Sequence, residues 1–375
     1  MSPALLADCA VSPFGRHEGH GLVECGAAAV ADLLARHPGL TEVDSLWVGS
    51  ARPGESHGWE SGLAAAIAQS AGLGGCPATD VHAFCASANV AFIHAAAEIA
   101  AGAADVSLVV GVEHMSAYRG GGPLVPPALP PWARVLSPPV FYALCASRYL
   151  SDYSLSVDAL ADISVRNRQA AVSNPNARFR HPVSRDEVLQ SKLISDPLTL
   201  LQCSAPADGA GAALLVSGAG AARLDISLDQ CVRLLGVGHT SAPAPDTANL
   251  ISFPEDVAAG RRAFASARVA PGDIGIAEVH DAFTIAQAIH LEDLGLAARG
   301  TGPYLGAASS DLVVNPSGGL LGRGHPLGAT GIAQLDSVRR HASEHGVIGL
   351  VQEAGGLQHL GQLISSVLIF APAGG

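Results

Sequence analysis

Residues 81–111 read VHAFCASANVAFIHAAAEIAAGAADVSLVVG. An extended segment at 80–84 gives way to small residues that begin a helix, and Cys85 stands at the junction. The first backbone N–H groups of a helix and the positive end of its dipole lower the pKa of a nearby thiol, which favours the reactive thiolate. Cys85 is therefore a candidate nucleophile. The alternative is a structural thiol, since free cysteine is among the most buried residue types.

Buried strands alternate with helices on both sides of this stretch. A helical pattern at 22–36 precedes a short extended run at 45–49, and a predicted helix at 86–101 leads to the β-branched run at 106–110. Such alternation is typical of an α/β fold in which a mostly parallel sheet is covered on both faces.

The second half of the chain repeats the order of strand, turn and helix. His280 directly follows a predicted strand at 274–279, and the Gly-rich segment NPSGGLLGRGHPLGATG holds His325 and then opens a helix. Two apolar runs, 347–351 and 363–370, close the chain. We interpret this as a weak internal duplication at the level of supersecondary structure.

A loop-rich insertion separates two of the predicted strands. After residue 116 the sequence AYRGGGPLVPPALPPW is too rich in Gly and Pro for a regular element, and two amphipathic helical patterns follow it. Insertions of this kind on an α/β scaffold usually shape a substrate site. We predict three units: residues 1–115 with 205–225 as the N-terminal half, 116–204 as the inserted loop domain, and 226–375 as the C-terminal half.

Composition excludes several classes of function. Of the 375 residues 49% are hydrophobic and only 14% charged, which indicates a large core and surface hidden between subunits. The formal net charge of −12 argues against nonspecific nucleic-acid binding, which needs a basic face. Because Lys192 is the only lysine, a Schiff-base mechanism has almost no candidate residue.

Seven cysteines are scattered through the chain without a CxxC pair. This spacing predicts reduced thiols and neither a disulfide framework nor a zinc site. The sequence has no stretch near the ~18 continuous apolar residues of a membrane span and no secretory signal pattern. We therefore expect a soluble cytoplasmic protein that binds no membrane.

Four strings in this order resemble the thiolase superfamily: CASAN, DPLTLLQCSAPADGAGAALLVS, VHDAFTIAQA and NPSGGLLGRGHPLGATG. The likeness covers roughly residues 20–370 and is greatest to the sterol-carrier-protein-type and archaeal thiolases, which have HD-x-F where other thiolases have Asn-Glu. It implies a thiolase fold, in which two similar βαβαβαββ halves form a five-layer αβαβα arrangement with an inserted loop domain.

The resemblance also implies roles for three residues. Cys85 would accept an acyl group from a CoA thioester, His325 would take the thiol proton, and His280 would help to bind the oxyanion or enolate of the carbon–carbon step. Backbone N–H groups at Cys85 and at 355–361 would complete a second oxyanion hole. The CoA thioester would be a substrate, with no permanently bound cofactor and no metal.

The chain departs from the family where a second thiol usually acts. Other thiolases carry a cysteine in a C-x-G motif near the C-terminus, but the corresponding region here reads GGLQHLGQ; relatives can carry one within HD-x-F, where this chain has Ala282. The acceptor therefore needs little deprotonation, as with a phenolic ring, or His359 serves as the base, or the chain resembles aldolases that cleave an acyl-CoA. Retention of Cys85 and His325 favours acyl transfer, because a retro-aldol reaction has no use for an activated thiol.

Assembly is the last inference from the resemblance. Thiolase-like proteins dimerise, so we expect a homodimer, and relatives of this branch often work with a small OB-fold and zinc-ribbon partner subunit. The Pro-rich stretch 123–131 is either a contact for such a partner or a loop that covers the substrate. A catalytically silent, thiolase-like scaffold subunit remains the alternative to an enzyme.

Overall fold

The computed structural model describes residues 3–118, 137–241, 249–306, 311–358 and 361–374. Within these ranges, ten strands from both halves of the chain are hydrogen-bonded side by side in one order, and two further strands form a separate hairpin. The strands are β1 (Leu5–Val11), β2 (Ser45–Gly49), β3 (Ala78–Val81), β4 (Val106–His114), β5 (Leu193–Ser195), β6 (Leu198–Thr199), β7 (Asp208–Val216), β8 (Val232–Ser241), β9 (Ile274–Glu278), β10 (Val313–Val314), β11 (Ile348–Gln358) and β12 (Gly361–Pro372).

The α-helices within those ranges connect the strands. They are α1 (Leu22–Arg36), α2 (Pro53–His57), α3 (Leu63–Ser70), α4 (Ser87–Ala101), α5 (Pro138–Asp152), α6 (Asp158–Ala171), α7 (Arg185–Gln190), α8 (Gly218–Arg223), α9 (Pro254–Ala267), α10 (Thr284–Asp293), α11 (Gly319–Arg323) and α12 (Thr330–His345).

The two halves of the sheet have the same topology. The order β3-β2-β4-β7-β1 in the first half matches β10-β9-β11-β12-β8 in the second, strand for strand along the chain. In each half the three outermost strands, β3-β2-β4 and β10-β9-β11, are parallel, and the remaining pairings are antiparallel. The sheet is therefore mixed, and the expectation of a mostly parallel sheet is wrong. The antiparallel pairs Leu5–Arg233 and Leu6–Val232 join β1 to β8. The predicted duplication is thus present in the strand order.

Three helical layers enclose and separate the two half-sheets. Helices α1 and α3 pack on the outer face of the first half-sheet, and α9 and α10 pack on the outer face of the second. Helices α4 and α12 lie between the half-sheets and contact both of them. Along β12, for example, Leu368 and Phe370 face the middle layer whereas Val367 and Ile369 face the outer one. This is the expected five-layer αβαβα thiolase fold.

The middle position of α4 explains its largely apolar sequence. Phe92 packs edge-on against Phe370 of the second half-sheet, with ring centroids 5.7 Å apart, while Ala88 and Ala95 belong to the same buried cluster. Residues Phe84–Ala101 have the length and composition of a membrane span, but more than half of that window is buried inside the fold. A helix that is apolar over most of its surface is expected in the core of a large protein.

The chain between β4 and β7 supplies a wall of the second half. Helices α5 and α6 share one buried cluster with α10 and α11, and the short β5–β6 hairpin follows them. The Pro-rich stretch 123–131 lies outside the described residues. The predicted unit boundaries at 116–204 and 205–225 remain predictions.

The close packing of α9 on β8 generates a stability prediction. A Cβ atom on Gly238 would overlap with the backbone carbonyl of Ala259, so a larger residue must displace the helix from the strand. We expect Gly238→Ala to lower the free energy of unfolding by about 2 kcal/mol, measured by denaturant titration. Gly272→Ala is the matched control, because no atom lies within 4 Å of the added carbon. Equal stability of the two variants would contradict this packing.

Candidate active site

Cys85 lies on a tight turn between β3 and α4. The strand ends at Val81, earlier than the extended segment expected to reach residue 84, and Phe84 takes a left-handed backbone conformation with φ of 51°. The Ser87 hydroxyl fixes the turn: it accepts from the Ala83 N–H (2.9 Å) and donates to the Phe84 carbonyl (2.6 Å). The turn therefore presents the thiol at the start of α4, as the sequence predicts.

Strand β11 packs directly against this turn. A Cβ atom on Gly355 would lie 2.5 Å from the carbonyl oxygen of Ala83, so only glycine fits at this position. The segment 355–357 consequently lines the same cavity as Cys85. An oxyanion hole built from these backbone groups remains a prediction.

His325 forms a hydrogen-bonded pair with Cys85. Its Nε2 lies 3.2 Å from the Cys85 Sγ, and its Nδ1 lies 2.8 Å from the Thr330 hydroxyl. Thr330 donates its only hydroxyl proton to the carbonyl of Pro326, 3.0 Å away. Both hydrogen bonds of the Thr330 hydroxyl form together only when Nδ1 carries the imidazole proton, which leaves Nε2 as an acceptor for the thiol proton. Thr330 thus sets the tautomer that a general base requires.

Burial keeps both members of this pair neutral. It raises the pKa of the Cys85 thiol well above 9.0, and the nearby Glu353 and Glu113 act in the same direction. Burial also lowers the pKa of His325 well below 6.5, helped by His280 and Arg323. The expectation that the helix N-terminus lowers the thiol pKa is wrong, because desolvation outweighs the dipole. At neutral pH the resting pair is therefore a neutral thiol hydrogen-bonded to a neutral imidazole.

His280 lies beside this pair and is oriented by a carboxylate. Its Nδ1 lies 2.6 Å from Oε2 of the buried Glu353, and its backbone N–H donates to the Gln352 side chain at 2.9 Å. Burial is the largest single effect and opposes a charge on His280, but Glu353, together with Asp281 and Asp256, outweighs it and raises the pKa of His280 above 6.5. In the doubly protonated form that the raised pKa favours, Nδ1–H donates to Glu353 and the Nε2–H is available as a donor toward the cavity.

Two buried carboxylates fix the loops that carry these residues. Asp281 accepts from the Leu320 N–H (2.6 Å) and from the Asn167 amide (2.7 Å), which anchors the Gly-rich segment. Glu113 accepts from the Gly328 N–H at 3.0 Å and thereby holds the loop after His325. Asp281 stands in the quoted HD-x-F string, but the sequence offered no signal for Glu113, Glu353 or the role of Thr330.

A cavity of about 380 Å³ joins the predicted site residues. Cys85, His280 and His325 all line it, whereas His359 lies outside the described residues. Ala282 is part of the wall, so the thiol that some relatives carry at this position is missing. Cys203 also lines the cavity and was not singled out from the sequence. The remaining lining residues are Phe84, Met115, Ser137, Pro138, Pro139, Tyr142, Ser204, Pro206, Phe283, Leu327, Ala354, Gly355, Gly356, Leu357 and Gln362.

The three central residues also form a possible set of metal ligands. One ligand atom from each of Cys85, His280 and His325 lies within 4.8 Å of the other two. Thiol sulfur and imidazole nitrogen are the ligands that Zn²⁺ prefers, so bound zinc would block the nucleophile. The expectation that the protein uses no metal remains a prediction. All seven cysteines are free thiols.

Comparison with known proteins identifies the family to which the chain belongs. Residues 5–124 match the thiolase N-terminal domain, and residues 236–365 match the thiolase C-terminal domain-like family. The chain is 34% identical to an acetyl-CoA acetyltransferase of Methanothermobacter thermautotrophicus over 325 residues, 84% of each chain. It is 32% identical to the benzoylsuccinyl-CoA thiolase subunit BbsB of Thauera aromatica, covering 88% of this chain and 86% of that one.

Two further proteins resemble the chain in different ways. Human sterol carrier protein 2 is 31% identical over 72% of this chain, which spans about half (53%) of that protein's length. The solved structure of an Ltp2-ChsH2(DUF35) aldolase superposes with a TM-score of 0.80 and covers 99% of this chain and 98% of that one. Since the sequence identity is 22%, this likeness shows the fold alone.

The neutral state of the Cys85–His325 pair generates a pH prediction. Because burial raises the thiol pKa, the thiolate fraction grows only as pH rises toward and beyond 9.0. We expect the rate of Cys85 alkylation by iodoacetamide, followed by peptide mass spectrometry, to rise continuously with pH. A rate that is already constant below about pH 7 would show a stable thiolate–imidazolium pair and contradict the neutral one.

Proposed function

Because the chain belongs to the thiolase superfamily, we propose that it is an acyltransferase that loads an acyl group from a CoA thioester onto Cys85 and transfers it to a carbon acceptor. The observation that carries this proposal is the 3.2 Å contact between the Cys85 sulfur and the His325 Nε2, with the His325 tautomer fixed by Thr330. Acetyl-CoA acetyltransferase and benzoylsuccinyl-CoA thiolase are the names of relatives that support it.

The loading step follows from the tautomer of His325. As the Cys85 sulfur attacks the thioester carbonyl carbon, its proton moves to the His325 Nε2. The carbonyl oxygen becomes an oxyanion, for which backbone N–H groups of Cys85 and of the 355–357 segment are the candidate donors. When the carbonyl re-forms, the bond to the CoA sulfur breaks, and His325 returns the proton to that sulfur. The products are acyl-Cys85 and free CoA.

The carbon–carbon step would use His280. With Glu353 at its Nδ1, the other ring nitrogen donates to the carbonyl oxygen of the acceptor, where negative charge develops as a carbanion or enolate forms. The acceptor carbon then attacks the acyl-Cys85 carbonyl and gives up its proton, which passes to the His325 Nε2 that the loading step left unprotonated. As the bond between the acyl carbon and the Cys85 sulfur breaks, His325 delivers that proton to the sulfur. Donation by His280 requires a proton on both of its ring nitrogens, and the raised pKa of His280 extends that doubly protonated form to higher pH.

The acceptor is where this chain should differ from other thiolases. Cys203 is the other thiol of the cavity wall in the described part of the chain, but burial raises its pKa to about 12 and its S–H donates to the Thr199 carbonyl. The Cys203 thiol therefore stays protonated at neutral pH and is poorly suited to act as a base. We propose an acceptor carbon that is already acidic or electron-rich, such as a phenolic ring, with His359 as the alternative base.

Two other functions are distinguishable from acyl transfer. A retro-aldolase is suggested by the structural neighbour, which is named as an aldolase, but that reaction would leave the Cys85–His325 pair unused. A silent scaffold subunit would likewise have no need for a base with a fixed tautomer. Both alternatives therefore leave the best-defined part of the site unexplained.

Acyl loading is the direct test of the proposed function. We expect incubation with acetyl-CoA or benzoyl-CoA to add one acyl mass to Cys85 alone among the seven cysteines, as read by intact-protein and peptide mass spectrometry. His325→Ala should lose this adduct because the thiol proton then has no acceptor. An unacylated Cys85 with every acyl-CoA tried, in the presence of any partner subunit, would defeat the proposal and favour a scaffold.

The Cys85→Ala variant separates transfer from aldol cleavage. It should abolish acyl transfer, since no thioester can form on alanine. A retro-aldol reaction on a β-hydroxyacyl-CoA should survive the same substitution largely intact. Retained cleavage with no acyl adduct in the unmodified protein would therefore assign the chain to the aldolases.

We further propose a cytoplasmic homodimer that can associate with a small OB-fold and zinc-ribbon partner. One relative, BbsB, is a thiolase subunit, and the name of the structural neighbour joins Ltp2 with ChsH2(DUF35). The low charged fraction of 14% also favours a buried interface.

Light scattering tests the oligomeric state. At micromolar concentration we expect a mass of about twice that of the 37.8 kDa chain, because a thiolase-like dimer would bury apolar surface that a monomer leaves in water. A monomer under these conditions would contradict the proposed homodimer.

A further inference from the structure

Tyr142 brings a hydroxyl group to the cavity that holds Cys85. The residue is only 4% exposed, yet it lines the cavity wall. Its hydroxyl makes no hydrogen bond to any residue within the described ranges. The hydroxyl oxygen nevertheless retains some accessible surface. A buried hydroxyl that lacks a protein partner but remains open to a cavity is placed to meet a ligand.

The other buried or half-buried tyrosines with hydroxyl partners show what is usual in this fold. Tyr118 donates to Glu113 at 2.8 Å, and Tyr149 donates to Glu292. Each of these hydroxyls thus recovers the hydrogen bond that it loses to water on folding. Tyr142 differs from both of them, so its hydroxyl is not explained by the internal hydrogen bonding of the described residues.

Packing does not require the hydroxyl either. The Tyr142 ring stacks on Phe283 with centroids 4.6 Å apart and planes at 24°, and it meets Phe141 and Phe253 edge-on. All three neighbours are phenylalanine, and a fourth phenylalanine would make the same ring contacts. The aromatic cluster therefore orients the Tyr142 ring, while the hydroxyl is free for another purpose.

Ser204 supplies a second hydroxyl to the same wall. Its N–H donates to the Ala282 carbonyl at 2.8 Å, which places it beside the residue that precedes Phe283. The Ser204 side chain lines the cavity, and no hydrogen bond links its hydroxyl to a residue of the described ranges. Tyr142 thus contacts Phe283 through its ring and Ser204 contacts the neighbouring Ala282 through its backbone, while Met115, Leu327 and Leu357 add apolar surface to the same lining.

The Tyr142 hydroxyl acts as a donor at neutral pH. Burial, and after it the negative charge that Cys145, Asp256 and Cys85 can carry, raises the pKa of Tyr142 well above 10.0. The phenol therefore keeps its proton, and the group that complements it is an oxygen with a free lone pair. The Ser204 hydroxyl can donate to or accept from the same oxygen.

We propose that Tyr142 and Ser204 form a polar subsite for an oxygen atom of the substrate other than its thioester carbonyl. The substrate class is then an acyl-CoA with an apolar body and a hydroxyl or keto group, for example a hydroxyaryl or keto-substituted acyl group. This inference rests on the proposed function only in taking a CoA thioester as the ligand.

Binding to the Cys85→Ala variant tests this subsite without any acyl transfer. Calorimetry would compare the three hydroxybenzoyl-CoA isomers with benzoyl-CoA, and hexanoyl-CoA carrying a keto group near its far end with hexanoyl-CoA. We expect at least one oxygenated member to bind about tenfold more tightly than its parent, since a site built to hydrogen-bond an oxygen discriminates against its absence.

Tyr142→Phe in the same background should bring that ratio close to one and leave binding of the plain thioesters unchanged, because the ring stack is retained. Tyr304→Phe is the matched control, as it removes an exposed hydroxyl outside the cavity lining. Ratios below about twofold for every pair, or a ratio that survives Tyr142→Phe, would overturn the subsite. Acyl loading on unmodified Cys85 is measured separately, so failure of the subsite and failure of the proposed acyltransferase are distinguishable.

Discussion

The hydrogen bond between Cys85 and His325 is the interaction on which the site depends, and it crosses the two halves of the molecule. Cys85 precedes α4 and His325 precedes α12, and these helices occupy equivalent places in the two βαβαβαββ repeats. Both helices lie in the middle layer, in contact with both half-sheets. The duplication therefore brings the starts of two corresponding helices together. In the proposed mechanism, one repeat supplies the nucleophile, and the other supplies its base and, through His280, a donor for developing charge.

Buried carboxylates, rather than charges on the surface, hold the site residues in position. Glu113, Asp281 and Glu353 are buried, and each binds N–H groups or an imidazole that must not move. Desolvation raises the pKa of Asp281, and hydrogen bonds from backbone N–H groups and from Asn167 limit the rise to about 6, so the carboxylate stays charged at neutral pH. Buried carboxylates that accept hydrogen bonds therefore position the site residues, in a chain whose overall charged fraction is low.

Much of the fold and the core of the site could be predicted from sequence, because they leave local signals. The helix at Leu22–Arg36 has the predicted bounds, and the strings around Cys85, His280 and His325 name the residues that meet in space. What could not be predicted depends on contacts between distant segments. Examples are the antiparallel pairing of β7 with β4 and of β12 with β11, the raised pKa of Cys85 and the tautomer set by Thr330. All of them follow from packing partners that no local pattern specifies.

The separation of Cys85 from its base along the chain has a consequence for protein synthesis. The two residues are 240 positions apart, and His325 reaches the thiol only when α12 has packed between the half-sheets. A ribosome-bound N-terminal half therefore carries an ordinary cysteine with no imidazole to take its proton. In the proposed mechanism, reactivity toward thioesters therefore requires both repeats to be folded together, and a nascent chain would not consume acyl donors.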